Sequence, residues 1–575
     1  MYEDKPWLAF YGKAPSHLEY VRGTMYEAIK RTAEKFPEKI ACEFLGRKIR
    51  YRNLIRLIDR YAAQMEKEGI TEDDCVTICL PNCPSVILMV YAMNKIGAVA
   101  STIHPLSTPR EIHHYLLTNR SAYVMTADLL WKKFEQAIDG TRVKTVYLVK
   151  VTEEMGWRAR IGASFLPRFR LKDRPQSKTF VFWNPLVRRK PVSLPTPQKN
   201  RKDRTENCAV ILFSGGTTGE PKGIMCSNFS FNALAQQVGT QGDTEKGGKM
   251  LTILPNFHGF GLGVCIHMPL FWGGTVILVP NFDPRNTVRL IKKKRPEYFA
   301  GVPKLFDSLL KVKSFHRIDL SCFKGVYCGG DSLQEKTEKA FAQALRKCGS
   351  EVRLMEGYGL TESLTACMLM PRSLIKPGSI GIPFPDVSAK IVEPGTEKPI
   401  PVGQEGEICL TGPTLMIGYY NNPEATKEVL WQHSDGQVWL HTGDIGKMDS
   451  DGFFYFRYRQ KRMIKIAGLA VYPSQVEELL NTHPDVLESC VIGVGKPDEP
   501  KQLKAFIILK KNVTSELEPA KREELLRFCG DHLIKWSCPK EIAFRKEFPK
   551  TLVGKVAYRE LEREEQNRDA ENASS

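Results

Sequence analysis

The run Phe213-Ser214-Gly215-Gly216-Thr217-Thr218-Gly219-Glu220-Pro221-Lys222-Gly223 has the residue types to hold a phosphate. Glycines at 215, 216, 219 and 223 let backbone N–H groups turn toward a single anion. The hydroxyls of Ser214, Thr217 and Thr218 add donors, and Lys222 adds charge. It is not a Walker A loop, which needs Gly-Lys-Ser/Thr in sequence, because Glu220 and Pro221 separate Gly219 from Lys222. An ordinary surface turn has no need of eleven consecutive residues of this kind.

Such a loop needs rigid elements behind it. CAVIL directly precedes it and predicts a buried strand. From Thr24 amphipathic helices alternate with apolar strands (MYEAIKRTAEKF, IACEFL, YRNLIRLIDRYAAQMEKEG, CVTICLP, PSVILMVYAMNKIG, AVASTIH), the pattern of parallel βαβ units. It resumes after residue 205 with CAVILF, TVILVP, EYFAGV and KGVYCGG, which predicts a second sheet. Beyond about residue 380 short Gly- and Pro-punctuated strands take over (AKIVEP, GEICLTG, GFFYFRYR), a small β-rich subdomain. A compact α+β unit starts near Arg459. The expected fold is α/β: an N-terminal domain, 1–458, of two mixed or parallel sheets with flanking helices and the β-rich part at 380–458, then a C-terminal α+β domain, 459–575.

Residues 150–204 break this rhythm with 15 Lys and Arg against four acids, a net +11 of the whole chain's +18. They also carry Trp157, Phe165, Phe169, Phe180, Phe182 and Trp183. Basic residues interleaved with aromatics suit the interface of an anionic bilayer, and a solvated basic insertion is the alternative of equal weight. No RNA- or DNA-reading module is visible, so nucleic acid is not an expected partner.

Composition excludes several classes. With 42% hydrophobic and 26% charged residues the chain is neither disordered nor collagen-like nor a small disulfide scaffold. Its 15 cysteines form no C-x-x-C pair, which argues against a zinc ribbon or thioredoxin-type site, and Cys75, Cys79 and Cys83 read as core. Residues 261–280 are uncharged over a bilayer-spanning length, but Pro269 and Gly273-Gly274 divide them into a short helix, a turn and the strand TVILV. MYEDKPWLAFYGK lacks the apolar core of a secretory signal, so the expected location is the cytoplasm, with peripheral contact at the inner membrane face as the open addition.

The eleven-residue run resembles the signature loop of the adenylate-forming superfamily: acyl-CoA synthetases, luciferases and peptide-synthetase adenylation domains. Gly357-Tyr358-Gly359-Leu360-Thr361-Glu362 resembles its Y-G-x-T-E motif, and Thr442-Gly443-Asp444 its T-G-D. Arg459 to Lys465 with Gly468 and Tyr472-Pro473 is similar to its hinge, and Pro549-Lys550-Thr551-x-x-Gly554-Lys555-Val556 closes the ordered set. Weaker likeness runs from Thr24 to about Leu561, outside the basic segment.

The resemblance implies ATP, Mg²⁺ and coenzyme A as cofactors. It implies that Ser214 to Gly219 and Lys222 hold phosphate, that Glu362 with Ser214 holds Mg²⁺, and that Tyr358 stacks on adenine beside Gly329-Gly330-Asp331 and within the Gly357, Gly359 and Thr361 turn. Asp444 would accept the ribose hydroxyls, Arg459 would reach ribose or phosphate, and Gly468 would line the pantetheine channel. Lys555, Glu362, Thr218 and His258 are the implied catalytic residues, Lys555 bridging the carboxylate and α-phosphate. A carboxylate attacking a phosphate needs such cations where charge grows. The C-terminal domain would be mobile, rotating about Arg462, a position where the family commonly has Asp. G-G-T-T-G resembles bacterial long-chain acyl-CoA ligases. Phe257-His258-Gly259 occupies the place where amino-acid-activating members carry an Asp.

The expected function is an AMP-forming ligase that converts a carboxylic acid, of medium or long chain, through an acyl-adenylate to an acyl-CoA. The alternatives are a fatty acyl-AMP ligase loading a carrier protein, an aromatic-acid CoA ligase of the 4-coumarate type, and a non-catalytic nucleotide-binding or membrane-scaffold protein.

Overall fold

The computed structural model describes residues 5–169, 171, 173–188, 203–213, 221–244, 247–462, 464–466, 469–495, 501–510, 518–550 and 556–574. Among these, two large sheets form the body. The first has nine strands; its centre runs, in spatial order, Leu354–Tyr358, Gly325–Cys328, Tyr298–Gly301, Lys249–Thr252, Thr275–Leu278 and Ile40–Phe44, all parallel. The second has eight, with Cys208–Phe213, Val99–Thr102, Cys75–Cys79, Tyr123–Ala127, Thr145–Val149 and Phe180–Phe182 parallel and Gly223–Ser227 turning back on Cys208–Phe213.

Local chemistry explains the elements. Cys75–Cys79 is buried at every position, as a parallel strand covered on both faces must be, and its cysteines are core. Helix Met25–Lys35 opens with a capping box between Thr24 and Glu27. Helix Pro84–Ile96 starts on Pro84 and ends at Gly97, whose φ of 93° suits a residue without Cβ. The uncharged stretch 261–280 folds as expected: a π-helical stretch Phe260–His267, the helix Met268–Phe271, a Gly273-Gly274 turn and the strand Thr275–Leu278. Among the described residues no helix is long and apolar enough to cross a membrane.

Not all of the aromatics of the basic segment reach the surface. Phe180–Phe182 extends the second sheet, and Trp183 is fully buried edge-on to Tyr61 and Tyr147. Pairing the open edge of Thr145–Val149 leaves apolar area that Trp183 fills. Trp157 and Phe165 remain exposed, while residues 189–202 lie outside the described part.

Residues 388–459 form a five-stranded antiparallel sheet, and the strand Val438–Met448 at its centre carries Thr442-Gly443-Asp444. Further on come a hairpin, Ile464–Ile466 with Leu469–Val471, and a three-stranded sheet of Val486–Val494, Gln502–Leu509 and Glu541–Phe544. The main core cluster runs from Trp7 to Phe454, and two clusters built from Ile464 onward form a separate core.

Candidate active site

Four neighbouring parallel strands of the first sheet, Lys249–Thr252, Tyr298–Gly301, Gly325–Cys328 and Leu354–Tyr358, end along one edge. The loops after them carry His258, Val302-Pro303, Gly329-Gly330-Asp331 and Gly359 to Glu362 respectively, and all of these face one cavity of about 960 Å³. Open α/β sheets bind ligands there, outside the carboxyl ends of the strands. From the second sheet the hairpin of Cys208–Phe213 and Gly223–Ser227 brings Pro221 and Lys222 to the same cavity. Ser214, Gly215, Gly216, Thr217, Thr218 and Gly219, which join its two strands, lie outside the described residues, as do Gly468 and Lys555.

Two carboxylates stand at the lining or just behind it. Asp444, 1% exposed, accepts the Tyr358 hydroxyl at 2.7 Å and pairs with Arg459 Nε at 2.9 Å. The antiparallel register sets Asp444 directly opposite Arg459. Burial, then the Asp444 charge, push the Tyr358 phenol well above its ordinary range, so it stays a donor. The Asp444 charge raises the Arg459 guanidinium as well. Glu362 accepts the Tyr419 hydroxyl at 2.8 Å, and Lys222 Nζ lies 4.7 Å from the centre of the Tyr419 ring. Glu362 therefore offers a hard oxygen donor to the cavity, the type Mg²⁺ takes when phosphates complete its shell.

Behind Asp444, the buried Glu407 accepts Gly443 N–H at 2.9 Å through Oε1 and meets His441 Nδ1 at 2.9 Å through Oε2. Gly443 has φ +67°, a left-handed turn that Glu407 ties down. Burial alone would raise the Glu407 carboxyl, but its bonds to His441 and Gly443 outweigh this and hold it below the usual range. Cys409 Sγ lies 3.5 Å from His441 Nδ1, and His433 Nε2 lies 3.0 Å from His441 Nε2, so the cluster is closed by its own hydrogen bonds.

Much of the cavity lining is apolar. Val238, Val264, Leu305 and the ring of Tyr327 belong to it, and Tyr327 is anchored by its hydroxyl on Gly242 O at 2.7 Å. Its wall is the π-helical stretch, where Gly261 sits so close to Pro255 O that a Cβ would stand 1.9 Å away. His258 also lines the cavity, its Nδ1 accepting Phe260 N–H at 3.1 Å.

The structure thus brings together His258, Lys222, Gly329, Gly330, Asp331, Gly357, Gly359, Thr361, Glu362 and Arg459 as cavity lining, with Tyr358 and Asp444 joined just behind them. Tyr419, Glu407 and His441 were not singled out from sequence. His441 directly precedes Thr442-Gly443-Asp444, which is the one local signal that could have pointed to it.

Comparison with known proteins agrees with this geometry. The family described as AMP-binding enzyme matches residues 29–420, and its AMP-binding enzyme C-terminal domain matches 475–555. A long-chain-fatty-acid–CoA ligase of Bacillus subtilis is 32% identical over 98% of this chain and 99% of its own length. One from Salmonella typhimurium is 30% identical over 97% and 98%, and a probable 4-coumarate–CoA ligase of Dictyostelium discoideum is 29% identical over 88% of each. The crystal structure of the anthranilate CoA ligase AuaEII with anthranoyl-AMP shares the fold, with a TM-score of 0.79 at 23% identity over 97% of this chain and 99% of that one. The chain belongs to the AMP-binding enzyme family, with these CoA ligases among its relatives.

Proposed function

We propose that the protein activates a fatty acid of medium or long chain with ATP and transfers the acyl group to coenzyme A. The carboxylate oxygen attacks the α-phosphorus and pyrophosphate leaves; the CoA thiolate then attacks the acyl carbon and AMP leaves. One observation carries the reading: a single cavity of about 960 Å³ is lined both by the polar motif residues Lys222, Glu362 and Arg459 and by apolar side chains such as Val238, Val264 and Leu305, with His258 among them.

In this reading Asp444 accepts the ribose hydroxyls, held in place by Tyr358 and Arg459. Lys222 and the loop 214–219 receive phosphate oxygens, and Lys555 neutralises the attacking carboxylate. Glu362, with Ser214, would hold a magnesium ion, which when bound offsets triphosphate charge. Asp331 and Glu362 are the acidic side chains among the described lining residues, and the Phe257-His258-Gly259 run itself carries no acid to pair a substrate ammonium. That favours a plain carboxylic acid. Each methylene buried against these apolar side chains contributes about 0.8 kcal/mol, so the extent of that lining selects chain length.

The test is pyrophosphate release from a panel of saturated fatty acids, 4-coumarate and benzoate, with and without CoA. The reading expects turnover that rises with chain length and a CoA-dependent thioester. Preference for the aromatic acids would move the substrate to the 4-coumarate type. Acyl-adenylate that accumulates with CoA present would make the acceptor a carrier protein.

A further inference from the structure

Helix Trp157–Ser164 lies on the body with its small residues inward: Ala163 is 4% exposed and Ala159 packs on the main core. Its outward face is large and apolar. Trp157 is 69% exposed, Ile161 54%, Phe165 73% and the following Leu166 41%. At about 100° per residue, Trp157, Ile161 and Phe165 fall on one arc of roughly 80°, with Arg158 on one flank and Arg160 on the other. Arg158 keeps its guanidinium 4.9 Å from the Trp157 ring. A remote hairpin extends this surface: Gly156 N–H donates to Leu45 O at 3.2 Å, bringing the 40%-exposed Leu45 and the exposed Lys48 alongside. The nearby acid Glu154 is buried and already paired with Arg47 at 2.8 Å.

We propose that this face docks on an anionic lipid bilayer, with Trp157, Ile161, Phe165 and Leu166 in the interfacial layer and Arg158, Arg160 and Lys48 on lipid phosphates. The arrangement fits a lipid surface because the apolar centre is narrow and its rim is cationic on both sides. Trp and Phe favour the headgroup boundary, and here they stand exposed on one arc with Arg158 and Arg160 at its flanks. The surrounding segment, net +11, adds long-range attraction. The docking face is thus a specific short helix and one hairpin turn rather than the basic run as a whole. The inference does not depend on which acid is the substrate.

The experiment is co-sedimentation of the full chain with vesicles of phosphatidylcholine alone and of phosphatidylcholine mixed with phosphatidylglycerol, over a salt series. Binding to the anionic vesicles that falls as salt rises is the expected result. Each cation at an anionic surface is worth about a fivefold gain in partition, so Arg158→Glu with Arg160→Glu should weaken binding more than about 25-fold. Trp157→Ala with Phe165→Ala should weaken it about tenfold or more. If the double alanine variant melts early, Ile161→Asp alone tests the same face. Equal binding to neutral vesicles, absence of binding at low salt, or unchanged binding by the variants would overturn the proposal. So would a change in the variants' oligomeric state by light scattering with lipid binding intact, which would make the face a contact with a second copy.

Discussion

Arg459 and Arg462 are the same residue three positions apart, yet they are anchored to different parts of the molecule. Arg459 pairs with Asp444 in the sheet that carries the cavity rim. Arg462 reaches forward, with two bonds to Glu477, at 3.1 and 2.6 Å, and its guanidinium 4.6 Å from the Tyr558 ring. The hydrophobic cores divide at the same place: the main cluster ends at Phe454, and two clusters draw only on residues from Ile464 onward. A strong ion pair on each side leaves the peptide units between them as the shortest segment that could turn. From sequence, a long polar side chain at this hinge position was expected to be solvated, and the structure corrects that: Arg462 is more than three-quarters buried, its charge taken up by Glu477. An Asp in its place would have no partner there, because Glu477 is an acid.

The largest effect should come from the far side of that division. Lys555→Ala is expected to slow acid-dependent pyrophosphate release about 10²–10³-fold, or roughly 3–4 kcal/mol, while leaving CoA transfer from supplied acyl-adenylate nearly unchanged. Equal loss in both half-reactions would mean that the two arginines do not separate two working arrangements. Next, Arg462→Asp should remove the partner of Glu477 and set two carboxylates together. The expected cost is on the order of 2–4 kcal/mol, read as an early melting step of the C-terminal part. Adding Glu477→Arg should restore most of it; failure of that charge swap would assign the position to something other than the pair.

On the cavity side of that division, what was legible in the sequence differs from what was not by how far along the chain the partners lie. Gly357 to Glu362 and Thr442 to Asp444 are contiguous motifs at a strand end or on a strand, where residue type and spacing within a few positions carry the information. The βαβ rhythm and the rejected membrane span were readable for the same reason. Glu407 is 36 positions from the Gly443 it ties down, and only the register that sets it opposite Ile445 brings them together. Tyr419 reaches Glu362 through a two-residue strand that no periodicity marks. Trp183 looked like its exposed neighbour Trp157 because both sit among arginines, and only the strand added before it buries it. Glu407 acts on the near side of the division as a positioning residue. Glu407→Gln should raise the KM for ATP about tenfold with a smaller change in kcat, as expected for one lost charge-assisted bond. A fall in kcat alone would place Glu407 in the chemistry instead.

The smallest expected effect tests whether the cavity side is electrostatically independent of the hinge. Glu356 lies on the strand Leu354–Tyr358, one residue before Gly357, and accepts Leu333 N–H at 3.2 Å. Burial is the main reason its carboxyl is pushed from 4.5 to about 7; the Leu333 bond opposes this, and Glu338 and Asp331 add to it. The folded protein therefore holds a proton there that the unfolded chain has released, over the interval between those two values. Stability must fall as pH rises through that interval, and the full cost is present above it. The whole shift would be worth about 3 kcal/mol, which partial exposure and residual structure in the unfolded chain reduce to about 1 kcal/mol. Glu356→Gln keeps the acceptor and removes the titration. Its melting temperature should match the parent near pH 5, exceed it by a few degrees at pH 8, and be unaffected by Arg462→Asp in the same chain. A variant that tracks the parent across the range would show that Glu356 is ionised throughout.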